Sequence, residues 1–142
     1  MKKTIKSTVS VLLVIICLLG LASCGNSVPE TGLWENATYL KDTELGNGSK
    51  TIVVEVSAEN NTVTFTVNTD KDTVGNALME HNLLKGDEGD YGLYIKEVNG
   101  MTADYDVDKS YWAFYIDGEY ATAGVDSTEI TEGVTYKLEY TK

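Results

Sequence analysis

Residues 51–67, TIVVEVSAENNTVTFTV, decide the fold that this sequence predicts. Apolar and polar side chains alternate on both sides of a short turn, Glu59-Asn60-Asn61. A period of two, interrupted by an Asn-rich turn, is typical of an antiparallel hairpin with one buried face. The apolar positions that we expect on this face are Ile52, Val54, Val56, Val63, Phe65 and Val67.

The spacing of apolar residues changes after this hairpin. A capping residue, Asp72 or Thr73, precedes apolar residues at helical spacing, which predicts a helix of about three turns ending near residues 85–86. Further strands are predicted at residues 91–98, 111–116 and 134–140, with a turn at Asp117-Gly118. The order ββαβββ predicts an α+β fold, a β-grasp-like and mostly antiparallel sheet with one helix packed on one face. The expected helix face is Val74, Ala77 and Leu78.

Residues 1–23 are typical of an export signal. Three lysines precede an uncharged apolar run over residues 11–22, which would rise only about 18 Å as a helix against a bilayer core of about 30 Å. The residues that follow, Leu21-Ala22-Ser23-Cys24, resemble the lipobox of bacterial lipoproteins. That resemblance implies that Cys24 receives a lipid with palmitate-type acyl chains and anchors the chain to the extracytoplasmic face of the cell membrane. An ordinary signal peptide with an incidental cysteine is the alternative.

Cysteine content and charge exclude several classes of function. Of the two cysteines, Cys17 lies in the signal and Cys24 would carry lipid, so the mature domain keeps no thiol for a disulfide, a metal or nucleophilic catalysis. The formal net charge is −11, and without the three signal lysines 8 lysines would face 22 acidic residues, a net charge of −14. The sequence contains no arginine. Since phosphate binding requires clustered basic side chains, nucleic acid is not expected as a partner.

The rest of the chain is long enough for one domain. Residues 24–32 are small and polar around the only proline, and they predict a short tether. Residues 33–142 form the predicted domain. Within it, residues 33–49 are a leader that we expect to pack as an extended edge segment through Trp34 and Tyr39, and residues 50–142 are the β-grasp-like core.

Several motifs between Thr73 and Tyr140 resemble a bacterial domain family of unknown function that is related to the C-terminal domain of transcobalamin and intrinsic factor. The matching motifs are Thr73-Val74-Gly75-Asn76-Ala77-Leu78, Gly92-Leu93-Tyr94-Ile95, Val98-Asn99-Gly100, Tyr111-Trp112-Ala113-Phe114-Tyr115-Ile116-Asp117-Gly118-Glu119, Gly124-Val125-Asp126 and Gly133-Val134-Thr135-Tyr136. The resemblance implies a β-grasp-like fold and, at a distance, binding of a corrinoid. In transcobalamin-like proteins a helical barrel supplies the other half of the site, and this sequence has no counterpart of it.

The predicted strand 111–116 separates its side chains into two sets. Trp112, Phe114 and Ile116 should face the helix as core, although ligand contact stays open for Trp112. The alternate residues should lie on an open face, where tyrosines suit binding because a flat apolar body carries a polar tip. Cross-strand pairing that only stabilises the sheet is the alternative. The candidate ligand-binding residues are Tyr94, Tyr111, Tyr115 and Tyr120.

Residues 104–108 carry alternating carboxylates, as a calcium loop does. The pattern fails further on, because Lys109 stands where that loop requires glycine and Tyr115 where it requires glutamate. We therefore expect an acidic, solvated loop and no cofactor. The weak candidates for a divalent metal are Asp104, Asp106 and Asp108.

Catalysis is not predicted. His81 is the only histidine and lacks the companion ligands of a zinc site, so a structural role is expected. Carboxylate pairs carry little information in a chain with 22 acidic residues. The sequence thus favours a membrane-anchored binding module that is not an enzyme, with a corrinoid or a helical-barrel or transporter protein as partner. The alternative is a protein-interaction or structural lipoprotein that docks on a transporter or envelope component, without binding a small molecule.

Overall fold

The structure is a computed structural model that describes residues 27–142, so the predicted signal and Cys24 lie outside the described residues. Within residues 27–142 no helix is both long and apolar enough to cross a bilayer. The elements in chain order are a 3-10 helix (Gly32–Asn36), β1 (Thr43–Gly46), β2 (Lys50–Ala58), β3 (Asn61–Thr69), α1 (Val74–Glu80), β4 (Leu84–Gly89), β5 (Gly92–Val98), β6 (Met101–Thr102), α2 (Tyr105–Asp108), β7 (Tyr111–Ile116), β8 (Glu119–Tyr120) and β9 (Thr135–Thr141).

These strands form two sheets. The larger has six strands in the order β1-β3-β2-β9-β7-β8, and the smaller has three in the order β4-β5-β6. All pairs are antiparallel except β1–β3 and β2–β9, which are parallel. The predicted α+β class is therefore confirmed as a mostly β structure with few helices, and the large sheet is mixed.

The hairpin predicted from residues 51–67 is confirmed as β2 and β3. Val54 lies opposite Phe65 in its register, and the six apolar residues expected on one face are all buried in the core. Glu59 and Asn60 form the turn with φ values of 50° and 66°. A two-residue turn with positive φ at both positions matches the twist of the flanking strands, and asparagine tolerates this conformation well.

Helix α1 begins as predicted and ends earlier. Its first turn is capped by Thr73, whose Oγ1 accepts a hydrogen bond from Asn76 N at 3.3 Å, and the predicted apolar face is buried. The expectation of three turns is wrong, because Asn82 has a φ of 55° and residues 84–89 form β4. A left-handed residue ends a helix, and Leu84 is then buried in the pairing of β4 with β5.

The leader packs tightly on the core, although not as one extended segment. Its first part is the 3-10 helix, in which Trp34 is 1% exposed and donates its Nε1 hydrogen to Ala58 O at 3.0 Å. Part of the predicted tether is also packed, since Val28 is buried and its N–H bonds to Leu40 O. An indole that is buried and hydrogen-bonded fixes the leader against the end of β2.

Asn99, in the turn between β5 and β6, joins the leader to the smaller sheet. Its side chain is fully buried and makes two hydrogen bonds with the main chain of Tyr39, accepting at Oδ1 from N at 3.0 Å and donating from Nδ2 to O at 2.9 Å. Its own main chain bonds to Leu83 O and Thr38 N. The leader and the start of β4 therefore share one anchor.

Candidate functional site

The candidate site is a groove between β5, the start of β7 and the segment 121–125, with a volume of about 510 Å³. This size lies within the range of small-molecule sites, roughly 300–1,000 Å³. We call it the aromatic groove, after the rings among its lining residues: Tyr91, Tyr94, Tyr111, Trp112, Phe114 and Tyr120.

A second hollow, the tyrosine recess, adjoins the groove. It has a volume of about 670 Å³ and is lined by Tyr94, Tyr105, Asp106 and Tyr111, so the groove and the recess share two tyrosines. Tyr105 and Tyr111 meet edge to face, with ring centroids 6.5 Å apart. Together the two hollows form a surface of flat rings with polar tips, which suits a flat, largely apolar ligand.

Trp112 and Phe114, which we call the groove floor, are held in place by packing against β9. Trp112 meets Tyr140 edge to face at 5.7 Å between centroids, and Phe114 stacks on Tyr136 at 6.1 Å. Both floor residues belong to the core, as predicted, with 6% and 7% of their surfaces exposed. They also line the groove. The alternatives left open for Trp112, core or ligand contact, are thus compatible in this position.

Three of the four predicted tyrosines, Tyr94, Tyr111 and Tyr120, line the groove, and the fourth, Tyr115, does not. Tyr94 belongs to the smaller sheet and meets Tyr111 at the groove. Tyr115 lies outside the groove lining. Its ring meets Tyr120 edge to face with centroids 5.4 Å apart, and the Lys137 ammonium lies 5.8 Å from its centroid. Tyr120 contacts Tyr115 and also lines the groove. The sequence predicts a single sheet, whereas β4, β5 and β6 pair among themselves, so Tyr94 reaches the groove from a second sheet.

Three residues near the groove were missed as site candidates. Tyr91 is fully exposed at the β4–β5 turn, and Tyr105 lies between aspartates that predicted only a solvated loop. The third is Asp126, whose carboxylate lies close to Gly92 and Gly124. Its only sequence signal was the Gly124-Val125-Asp126 motif in the family resemblance, because the chain brings these segments together only through tertiary contacts.

Two polar atoms beside the groove have no hydrogen-bond partner among residues 27–142. They are Trp112 Nε1 and Asp126 Oδ1, and both are buried. A Cβ atom added to Gly124 would lie 2.7 Å from Asp126 Oδ1, and one added to Gly92 would lie 3.0 Å from Oδ2. The absence of both side chains is therefore what makes room for this carboxylate. A buried carboxylate oxygen is costly unless a hydrogen-bond donor or a cation pairs with it.

The aspartates of residues 104–108 stabilise the local turn. Asp104 caps α2 by accepting from Asp106 N at 3.0 Å, and Asp108 accepts from both the N–H and the hydroxyl of Ser110. The Ser110 hydroxyl is the main cause that lowers the pKa of the Asp108 carboxyl, and the Lys142 ammonium adds to the effect. Within residues 27–142 no three His, Cys, Asp or Glu side chains converge as metal ligands.

His81 lies at the end of α1, away from the groove lining. Its Nε2 is buried, lies 3.8 Å from Glu80 Oε2 and has no hydrogen-bond partner in the described part of the chain. A Cβ atom on Gly46 would lie 2.8 Å from the same nitrogen, so the imidazole packs against β1. This placement fits the structural role expected for His81.

Comparison with known proteins places the chain in a family. Residues 71–142 match the model of a domain of unknown function, DUF4430, and the chain belongs to that family. The match begins just before α1 and extends through β9, so it includes every residue named as lining the groove or the recess. No curated protein matches the chain.

Two solved structures are similar to this one. A protein of Ruminococcus gnavus ATCC 29149, proposed to bind metal and solved at 1.30 Å resolution, is 30% identical with a TM-score of 0.62, over 66% of this chain and 98% of that one. Haptocorrin in complex with Cbi is 23% identical with a TM-score of 0.53, over 69% of this chain and 27% of haptocorrin. The predicted resemblance is thereby confirmed for the family of unknown function and for a fold shared with part of haptocorrin.

Proposed function

We propose that this protein is a lipid-anchored, extracytoplasmic binding module that holds a small ligand in the aromatic groove, with a corrinoid as the first candidate. The observation that carries the proposal is the groove itself. Six aromatic residues from β5, β7, β8 and the β4–β5 turn surround one hollow beside a strand whose rings pack firmly on β9. Preorganised aromatic surfaces lose little side-chain entropy when a flat ligand binds.

The choice of a corrinoid rests on the fold shared with part of haptocorrin, whose solved complex contains Cbi. The matched region is 27% of haptocorrin, so this domain would present one side of a ligand. Exposed rings at the rim, Tyr91 and Tyr94, leave surface for a second protein to cover that ligand. We include a helical-barrel or transporter protein in the proposal as the partner that would complete the enclosure.

The β-grasp-like description of the fold is part of the same proposal. It is supported by five strands in the order β3-β2-β9-β7-β8, with β2 and β9 parallel at the centre. It is also supported by helix α1, which follows the β2–β3 hairpin along the chain and packs on the core.

Anchoring is proposed from the sequence of residues 1–24. Cys24→Ser should abolish incorporation of labelled palmitate and release the protein from the membrane fraction, because two or more acyl chains are needed for stable attachment. A variant that stays membrane-bound and keeps the label would overturn this part of the proposal.

Binding can be tested on the full-length protein in a non-ionic detergent by titration with cobinamide, followed by calorimetry and the corrin absorbance. Tyr94→Ala should weaken binding at least about fivefold, as truncation of an aromatic contact residue does. Tyr115→Ala is the matched control, since Tyr115 lies outside the groove lining. No heat and no spectral change at millimolar cobinamide would remove the corrinoid candidate.

A second function, docking of a protein partner, is favoured by one observation. Four tyrosines and Val107 are exposed, and Tyr91, Tyr94, Tyr105 and Val107 lie on or next to the groove and the recess. Tyrosine-rich exposed surface is typical of protein interfaces. Crosslinking in intact cells would test this function: one dominant partner that is lost in Tyr105→Ala supports docking, whereas an unchanged pattern contradicts it.

A further inference from the structure

Negative charge predominates among the side chains that line the groove and the recess. Among the residues that line either hollow, Asp106 is the only one with a charged side chain. The Asp126 carboxylate adds a second negative charge, close to Gly124 of the groove wall. The chain as a whole has a formal net charge of −11. An anionic ligand would therefore be repelled by the net charge of the chain and would meet no cationic side chain among the lining residues.

The two carboxylates differ in burial: Asp126 has a buried oxygen, whereas Asp106 is exposed. Asp126 Oδ1 is buried and accepts no hydrogen bond from residues 27–142. The neighbouring positions Gly92 and Gly124 carry no side chain, and Gly124 lines the groove. A positive charge in the groove would be attracted to the Asp126 carboxylate, because charges near a low-dielectric wall are screened less than in water.

The rings supply a second attraction for positive charge. The faces of tyrosine and tryptophan carry negative partial charge and bind ammonium groups, above all when several rings surround one cation. One ring of the recess already makes such a contact, because the Lys109 ammonium lies 4.7 Å from the centroid of Tyr105. This lysine is exposed and is not part of the lining. The contact shows that the rim of the recess accepts a cation on an aromatic face.

From these contacts we infer that the ligand of the aromatic groove is an organic cation: a positively charged group on an apolar or flat body. The inference rests on the proposed function in taking the same groove as the binding site, and it adds the charge class of the ligand. A corrinoid whose cobalt centre carries net positive charge belongs to this class. Anionic nucleotides, sugar phosphates and fatty acids do not.

The test compares two probes of the same shape. Choline carries a quaternary ammonium, and 3,3-dimethyl-1-butanol replaces it with an uncharged tert-butyl group. Each is titrated into the full-length protein, labelled with 3-fluorotyrosine and kept in dodecyl maltoside, and binding is followed by ¹⁹F NMR. Choline should bind at least about tenfold more tightly and shift the resonances of Tyr94 and Tyr111, because several rings and one carboxylate act on the charge together.

Two variants change the local charge in opposite directions. Asp126→Asn keeps the shape of the side chain and should weaken choline about fivefold, with no effect on the uncharged probe. Lys109→Asn removes the competing ammonium from Tyr105 and should strengthen choline about twofold, and asparagine suits the left-handed φ of 67° at this position. Glu44→Gln is the control, because β1 lies four strands from β7, about 19 Å away at the usual strand spacing.

Equal affinity for the two probes, or the same loss in Asp126→Asn and Glu44→Gln, would overturn the inference. No shift of the groove tyrosines by choline would overturn it as well. Failure of the corrinoid candidate alone looks different: choline would bind in the groove while cobinamide does not. If neither probe nor cobinamide binds in the groove, the proposed function itself fails. Cobinamide binding that is lost in Tyr94→Ala but unaffected by Asp126→Asn, together with equal probe affinities, would leave the function standing and remove the charge preference.

Discussion

Replacing Asn99 by alanine should destabilise the protein by about 3 kcal/mol, more than expected for a short polar side chain in a turn. The substitution leaves the N–H and the C=O of Tyr39 without their partners. Each unsatisfied main-chain group costs about 1–3 kcal/mol, and we take about 1 for each because Tyr39 is half-buried. Asn99 also has a φ of 51°, where alanine costs about 1 kcal/mol more than asparagine.

Asn82 provides the matched control. It has a φ of 55° and is exposed, so Asn82→Ala should show the backbone cost alone, about 1 kcal/mol. The difference between the two variants isolates the hydrogen bonds with Tyr39, about 2 kcal/mol. Since small domains are stable by about 5–15 kcal/mol, both variants should still fold.

Urea denaturation followed by tryptophan fluorescence measures both free energies of unfolding, and the slope with denaturant should stay unchanged. Trp34 is a suitable probe because it lies in the leader that Asn99 holds. If Asn99→Ala falls within about 0.5 kcal/mol of Asn82→Ala, the reasoning is refuted, and the leader is held by its apolar contacts alone.

Three further predictions concern single positions. Trp34→Phe should cost about 2–3 kcal/mol in urea denaturation, because it removes the bond to Ala58 O and leaves a small cavity; an unchanged midpoint would contradict this. Gly100→Ala should cost about 2 kcal/mol or more, since φ is +83° and the new Cβ would lie 2.3 Å from Asn36 O; a loss below about 0.5 kcal/mol would argue against it. The lowered pKa of Asp108 should make its hydrogen bonds stabilising above its ordinary value of 3.8 and ineffective as pH falls through the lower folded value. Ser110→Ala should therefore flatten the decline of stability with acid, and a parallel decline in both proteins would refute the assignment.

The local pattern of the chain was enough to predict elements in which neighbours in sequence are also neighbours in space. The β2–β3 hairpin, the cap at Thr73 and strand β7 were all predicted, because alternation and capping depend on residues a few positions apart. The end of α1 was not predicted. Leu83 and Leu84 fit a helix as well as a strand, and only the pairing of β4 with β5 decides between them.

The groove required information that no short stretch contains. The sequence supplied the tyrosines and the aromatic strand, and it placed Trp112 in the core. It did not show that β4, β5 and β6 form a sheet of their own, which brings Tyr94 to Tyr111 and leaves Tyr115 elsewhere. Strand partners are chosen by hydrogen bonds and burial between distant segments, and these appear only when the whole chain is packed.

The sequence by itself thus determined the two-residue periods, the caps, the acidic charge and the lipobox-like motif, all of which are properties of adjacent residues. The tertiary structure alone decided that Asp126 lies between Gly92 and Gly124 and that Asn99 binds Tyr39 across 60 positions of chain. The physical reason is that burial and compensation of polar groups depend on the complete environment of an atom, which segments far apart in the chain supply jointly.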